Sequence, residues 1–385
     1  MKEAGIYIHI PFCKQKCSYC DFVSFANKKE FEENYIQALK KEIVNGKNDN
    51  YKIDTIYIGG GTPSFLNSKH IIEILDTIKT NFNVNSDAEI TIEVNPGTVD
   101  IQKLTDYKNA GINRISIGLQ STDDALLKQI GRIHTYDEFL DTYKNARRVG
   151  FKNINVDLML ALPNQTIEIL EDSVQKIINL VPEHISVYSL IVEEGTVMKK
   201  RVDSKEVELP SDELERKMYW TVKKSLERSG YIHYEISNFA KKGYESKHNM
   251  NCWKQKEYFG FGLAAHSYID SKRYCNTSNL EEYIKNIEED NYKNNVEICE
   301  IQTLEDKKKE YMILGLRKIE GIDINDFKSK FVDNPIYVFR KELEKLVNEE
   351  LIEIDLNQIK LTDKGLDLAN LVWEEFIWQL YVNML

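Results

Sequence analysis

Ile6-Tyr7-Ile8-His9-Ile10-Pro11-Phe12-Cys13-Lys14-Gln15-Lys16-Cys17-Ser18-Tyr19-Cys20-Asp21-Phe22 is the stretch on which the reading of this chain turns. An apolar, β-branched run that reads as a strand delivers three of the six cysteines into a single loop. Thiolates are soft ligands, suited to iron–sulfur clusters or to zinc. The spacing C-x3-C-x2-C offers three such ligands at once. A cubane cluster has more irons than that, so one iron is left open to an outside molecule. A zinc knuckle completed by a distant histidine is the alternative metal reading. A disulfide is disfavoured, because three close cysteines cannot all pair and nothing marks secretion.

Outward from this loop, apolar runs bounded by turn residues recur at Ile6–Phe12, Thr55–Ile58, Glu89–Val94, Arg114–Leu119, Asn153–Leu162 and His184–Val192. Several are continuously apolar, as strands buried on both faces are. Amphipathic, helix-length stretches lie between them at about Glu30–Val44, His70–Asn81, Ile101–Ala110, Asp137–Val149 and Thr166–Leu180. The alternation predicts repeated βα units around a parallel sheet, closed or nearly closed. The expected α/β fold is thus a partial (β/α)6 barrel, with a doubly wound open sheet as the alternative. Barrel enzymes collect their chemistry where strands run into loops. Here those points carry the cysteine loop, Gly59-Gly60-Gly61-Thr62-Pro63, Glu93 with Asn95-Pro96, Gln120-Ser121, Asp157 with Leu162-Pro163, and Tyr188-Ser189.

Each candidate has a plainer explanation. The glycines at 59–61 suit a tight turn as well as a close backbone approach to a ligand, and no Gly-Lys-Ser/Thr follows to make a phosphate loop. Glu93 sits in a β-branched strand and needs a partner if buried; a sugar hydroxyl or an ammonium would serve. Arg132 and Asp157 could simply pair with each other.

Together, the three-cysteine loop, with Tyr19 before its last cysteine, and these strand ends resemble the radical S-adenosylmethionine (SAM) family. The resemblance is to its oxygen-independent coproporphyrinogen III oxidase-like branch, and runs from Ile6 to about Ser267. It implies a [4Fe–4S] cluster on Cys13, Cys17 and Cys20, with SAM chelating the open iron. Tyr7, Gly60, Gly61, Thr62, Glu93, Gln120, Arg132 and Asp157 fall where that branch places its nucleotide-binding residues. Gly60 and Gly61 would meet the methionine amino end, and Glu93 the ribose. Gln120, Arg132 and Asp157 would serve a second SAM position. His266, after the glycines at 260 and 262, would contact the nucleoside, and those glycines would let the backbone approach a planar ligand.

Within that branch the resemblance separates two functions, a coproporphyrinogen III dehydrogenase of porphyrin biosynthesis and a heme-binding chaperone. The dehydrogenases carry a further cysteine two residues after the third; here Phe22 stands there. They also have a long arm before the loop, whereas twelve residues precede Cys13. The chaperones carry H-N-x-x-Y-W, and His248-Asn249-Met250-Asn251-Cys252-Trp253 matches it with Cys252 in place of tyrosine. A heme chaperone serving acceptor hemoproteins is therefore expected, with His248 as heme ligand and no dehydrogenase activity. Neutral imidazole is a common axial ligand. A histidine capping a surface turn is the plainer reading of the same residue. Cys275 and Cys299 show no partner pattern and read as ordinary residues.

The chain of 385 residues has room for more than one unit. Three are expected: 1–200, the cluster-bearing partial barrel; 201–300, an extension completing the site; and 301–385, a mostly helical, winged-helix-like cap. The net charge of −11 and the many acids of the tail provide no field for nucleic acid. No signal peptide and no apolar run near the roughly 20 residues of a membrane span are visible. Exposed cluster-ligating thiols suit a reducing cytoplasm, and peripheral membrane contact stays open.

Overall fold

The computed structural model describes residues 1–377. Six parallel strands form its centre: β1 (Lys2–Ile10), β2 (Tyr51–Gly60), β3 (Asn83–Val94), β4 (Arg114–Gln120), β5 (Ile154–Leu160) and β6 (His184–Ser189). Their apolar residues are covered on both faces, with Ile6, Ile8, Ile56, Ile58, Ile92, Ile115, Ile117 and Val156 all buried. The helices that cover the sheet are α1 (Glu32–Asn45), α2 (Ser68–Asn81), α3 (Ile101–Asn109), α4 (Tyr136–Val149) and α5 (Ile167–Leu180). In α2 the buried residues Ile71, Ile74, Leu75 and Ile78 recur at helical spacing, which is why this segment packs as a helix. Side-chain caps fix the starts: Asn67, Asp100, Thr135 and Thr166 each accept a hydrogen bond from a backbone N–H of the first turn. The boundaries differ little from expectation, except that β1, β2 and β3 begin earlier, at Lys2, Tyr51 and Asn83. There Lys52 and Ile53 pair with Asn83 and Val84, so backbone pairing continues past the apolar run that marks the strand in the sequence.

The parallel sheet grows at both ends instead of closing. Past β6 lies the antiparallel hairpin β7 (Ile232–Glu235) and β8 (Asn238–Ala240). On the other side, β9 (Tyr258–Phe261) joins β1 in parallel, and β10 (His266–Ile269), β11 (Lys272–Asn276) and β12 (Val296–Ile301) continue antiparallel. The strand order is β12-β11-β10-β9-β1-β2-β3-β4-β5-β6-β8-β7, with β12 and β7 as the edges. Two further helices belong here, α6 (Asp212–Arg228), capped by Ser211, and α7 (Lys247–Trp253), capped by Ser246.

From Leu304 the chain builds a second core around Met312, Leu316, Phe327, Leu343, Leu346, Val372 and Phe376. Three helices (Leu304–Gly315, Ile324–Phe331, Arg340–Asn348) accompany a three-stranded antiparallel sheet, in which Ile322–Asp323 joins the hairpin of Ile352–Ile354 and Gln358–Leu361. The final helix breaks at Leu368 into Asp363–Asp367 and Ala369–Ile377. This unit docks on α6, α7 and β11. Trp220 Nε1 donates to Asp367 (2.8 Å), Arg273 forks onto Glu310, and the Arg317 guanidinium lies 4.4 Å from the Trp253 ring and 5.0 Å from that of Trp373. Among the described residues no helix is long and apolar enough to cross a membrane.

Candidate functional site

The loop after β1 is held by backbone hydrogen bonds on every side. Gly61 N donates to Ile10 O (2.8 Å), Thr62 N to Phe12 O (2.9 Å), Phe25 N to Pro11 O (2.7 Å) and Ser18 N to Ile130 O (3.0 Å). Cys13 is buried, while Cys17 and Cys20 are half-buried. A methyl group on Gly61 would meet Cys13 Sγ at 2.8 Å, so this glycine is what lets the thiol lie against the end of β2. Thr62 Oγ1 donates to Cys13 Sγ (3.5 Å), and Arg132 Nη1 lies 3.6 Å from Cys17 Sγ. Burial pushes the Cys13 and Cys20 thiols up, so protons hold these sulfurs until metal replaces them.

Beside the thiols opens a cavity of about 330 Å³. Cys13, Cys17 and Cys20 line it together with Gly60, Gly61, Thr62, Glu93, Gln120, Arg132 and Asp157, so the strand ends singled out in the sequence do converge. Gly60 takes a φ of +113°, and Gln120 one of +73° where β4 bulges against β5. Glu93 accepts from Tyr57 Oη (2.9 Å); burial, offset in part by that bond, still pushes its carboxyl up to about 7. Asp157, likewise raised by burial, accepts from Asn155 Nδ2 (2.6 Å) and from Ser116 Oγ (3.3 Å). Arg132 is anchored by Gly118 O (2.5 Å) and Asn95 Oδ1 (2.9 Å), with no contact to Asp157; Asn95 in turn donates to Thr62 Oγ1 (3.0 Å). The plain Arg–Asp pair is thus replaced by two separately held groups of opposite charge.

Three expected residues lie elsewhere. Tyr7 stacks on Tyr57 and binds His9 Nδ1 (3.0 Å), leaving His9 Nε2 for Val23 O (2.8 Å); it supports the wall without lining the cavity. His248, on α7, is buried against the sheet, its Nδ1 on Thr55 Oγ1 (2.9 Å) and its ring 5.2 Å from that of Tyr57. Burial pushes its pKa down to about 4, and it caps no surface turn. His266 is exposed on β10, beside Cys275 and Cys299 and away from the cavity. It stands outside the residues that line the cavity, and the neighbouring glycines have a packing reason of their own. The carbonyl of His266 itself presses on Gly260, and Tyr35 Oη with the His9 carbonyl on Gly262. Among the described residues, none of the C-terminal unit lines the cavity.

Sequence reasoning missed Tyr57, Ser116 and Asn155, which position Glu93 and Asp157. Inward-facing polar residues one pleat below a strand end were the available signal.

Such a loop over the ends of parallel strands defines the radical SAM class, and the family model "Radical SAM superfamily" matches residues 7–177, with "HemN C-terminal domain" at 302–368. The chain is 39% identical over 385 residues to "Heme chaperone HemW" of Bacillus subtilis (strain 168), covering 99% of this chain and 100% of that one. It is 36% identical to the protein of the same name from Lactococcus lactis subsp. lactis (strain IL1403), over 98% of each. The solved "Coproporphyrinogen III oxidase (HemN) from Escherichia coli" superposes with a TM-score of 0.85 at 23% identity, over 97% of this chain and 90% of that one. The chain belongs to the HemW family within the radical SAM superfamily. That superfamily implies a [4Fe–4S] cluster and SAM, and the loop fits them. Among the described residues, one group of three ligands is compact enough for a single ion, and it is not Cys13, Cys17 and Cys20. Wider thiol spacing suits a cluster better than one zinc ion.

Proposed function

We propose that the chain is a cytoplasmic heme chaperone, carrying a [4Fe–4S] cluster with SAM and delivering heme to acceptor hemoproteins. The observation that carries this reading is its identity, over nearly the full length of both chains, to proteins named heme chaperones. Phe22, in place of the cysteine that the dehydrogenases carry, supports it: the ring lines the cavity mouth and is 60% exposed.

Cys13, Cys17 and Cys20 would hold the cluster, which supplies one-electron chemistry at the SAM sulfonium. Gly60 and Gly61 would leave room at the methionine amino end. Glu93, backed by Tyr57, would accept from the ribose hydroxyls. Gln120, Arg132 and Asp157 would serve a second SAM position. Thr62 and Arg132 orient the thiols.

His248 is the heme ligand that the motif implies. Its depressed pKa keeps the imidazole neutral and thus able to ligate iron. The ring is nevertheless sealed under α7, whose first N–H groups, at Lys247 and His248, donate to the buried carboxylate of Glu89 (3.1 Å each). Heme ligation through His248 therefore requires α7 to lift from the sheet. The test is heme titration of the cluster-reconstituted protein and of His248→Ala. The reading predicts stoichiometric binding that weakens at least tenfold in the variant; absent binding, or an unchanged variant, would sink it.

A further inference from the structure

At the far edge of the sheet, His266 on β10, Cys275 on β11 and Cys299 on β12 come together across three neighbouring strands. Their ligand atoms all lie within 4.8 Å of one another, and the two sulfurs are 3.1 Å apart. The strand register produces this arrangement. His266 and Cys275 are direct cross-strand partners. On β12 the pairing slips between Glu300, opposite Arg273, and Ile298, opposite Tyr274, which leaves Cys299 as the bulged residue. Such bulges re-aim a side chain, and this one turns the Cys299 thiol onto Cys275. His266 is fixed from behind, because its carbonyl fills the space that a side chain at position 260 would need.

We infer that His266, Cys275 and Cys299 form a second metal site, taking one zinc-class divalent cation and leaving its fourth position open to solvent. Two thiolates with one imidazole are a donor set that selects such ions over calcium or magnesium. A tetrahedral ion with ordinary bonds to sulfur and nitrogen places its ligand atoms about 3.5–3.8 Å apart. The sulfurs need to open slightly from 3.1 Å, and the imidazole to close from at most 4.8 Å. Side-chain rotation on exposed and half-exposed residues supplies both movements. Each thiol gives up its proton as the metal binds. The carboxylate of Glu297, near enough to act on Cys275, adds negative charge without being a ligand. None of the three residues lines the cluster cavity, so this site does not depend on the proposed function.

Zinc titration of the cluster-loaded protein under anaerobic, reducing conditions tests it, with iron release followed in parallel. One equivalent of Zn²⁺ is expected to bind without loss of iron. X-ray absorption at the zinc edge should show two sulfur and one imidazole scatterers from the protein. Cys275→Ser and Cys299→Ser should each weaken binding about 100-fold, and His266→Ala about tenfold, with the cluster intact. The inference is overturned if zinc binds only as iron leaves, or if the three variants bind as the wild type does. A zinc edge lacking sulfur would overturn it without any variant, as would a Cys275–Cys299 disulfide that persists in the reduced protein.

Discussion

Gly61→Ala is the smallest change that reaches the cluster loop without altering any ligand. Gly61 has an ordinary backbone conformation, so alanine brings no left-handed strain there. Its new methyl would lie 2.8 Å from Cys13 Sγ, 3.0 Å from Phe12 O and 3.1 Å from Ile10 O. Ordinary contact between such atoms is about 3.5–4.0 Å, so the sulfur must retreat by roughly 1 Å or the end of β2 must move. Overpacking of this kind costs about 1–3 kcal/mol, which a large domain tolerates, whereas ligand positions are needed to within about 0.5 Å. The expected result is a folded protein that retains well under half of the wild-type iron and sulfide after anaerobic reconstitution, with the charge-transfer absorbance reduced in proportion. Gly150→Ala is the control: φ is +96° but nothing lies within 4 Å of the new methyl, so it should lose about 1 kcal/mol and keep its cluster. A full cluster in Gly61→Ala, or equal loss in both variants, would refute the role given to this close approach.

Glu93 makes stability depend on pH. Its carboxyl, raised to about 7 in the fold by burial, contributes stability that is complete below the unfolded value and is lost as pH rises through about 7. Unfolding midpoints of ligand-free wild type should therefore fall between pH 5 and pH 8 relative to those of Glu93→Gln; parallel curves would contradict this. Glu42 is half-buried and accepts from Tyr283 Oη (2.6 Å), Asn276 Nδ2 (2.6 Å) and Gly262 N (2.7 Å). Glu42→Ala strands three donors and should cost about 3 kcal/mol or more in urea unfolding, with Glu42→Gln costing visibly less. Thr62→Val removes the hydroxyl that donates to Cys13 and accepts from Asn95. About tenfold weaker cluster retention is expected, measured as the rate of iron loss to a chelator.

Local pattern carried most of the fold. The βα alternation is written in nearest-neighbour chemistry, and residues at strand ends had to converge once the strands were parallel. What depended on distant packing was not legible. His248 stands in a polar stretch that reads as a heme-ligand motif or, more plainly, as a surface turn. Only the fold shows Thr55 and Tyr57 waiting for it inside the sheet. The glycines at 260 and 262 read as ligand clearance, yet their empty faces receive the chain itself. Cys275 and Cys299 lie 24 residues apart, and a bulge that no local motif marks is what unites them.

The central claim is tested most directly by one anaerobic assay. Cluster-loaded protein charged with heme is mixed with an apo-hemoprotein, and in parallel with coproporphyrinogen III, SAM and a reductant. The account predicts that heme leaves the protein for the acceptor and that no protoporphyrinogen IX forms. Turnover to protoporphyrinogen IX without heme transfer would contradict it and restore the dehydrogenase reading.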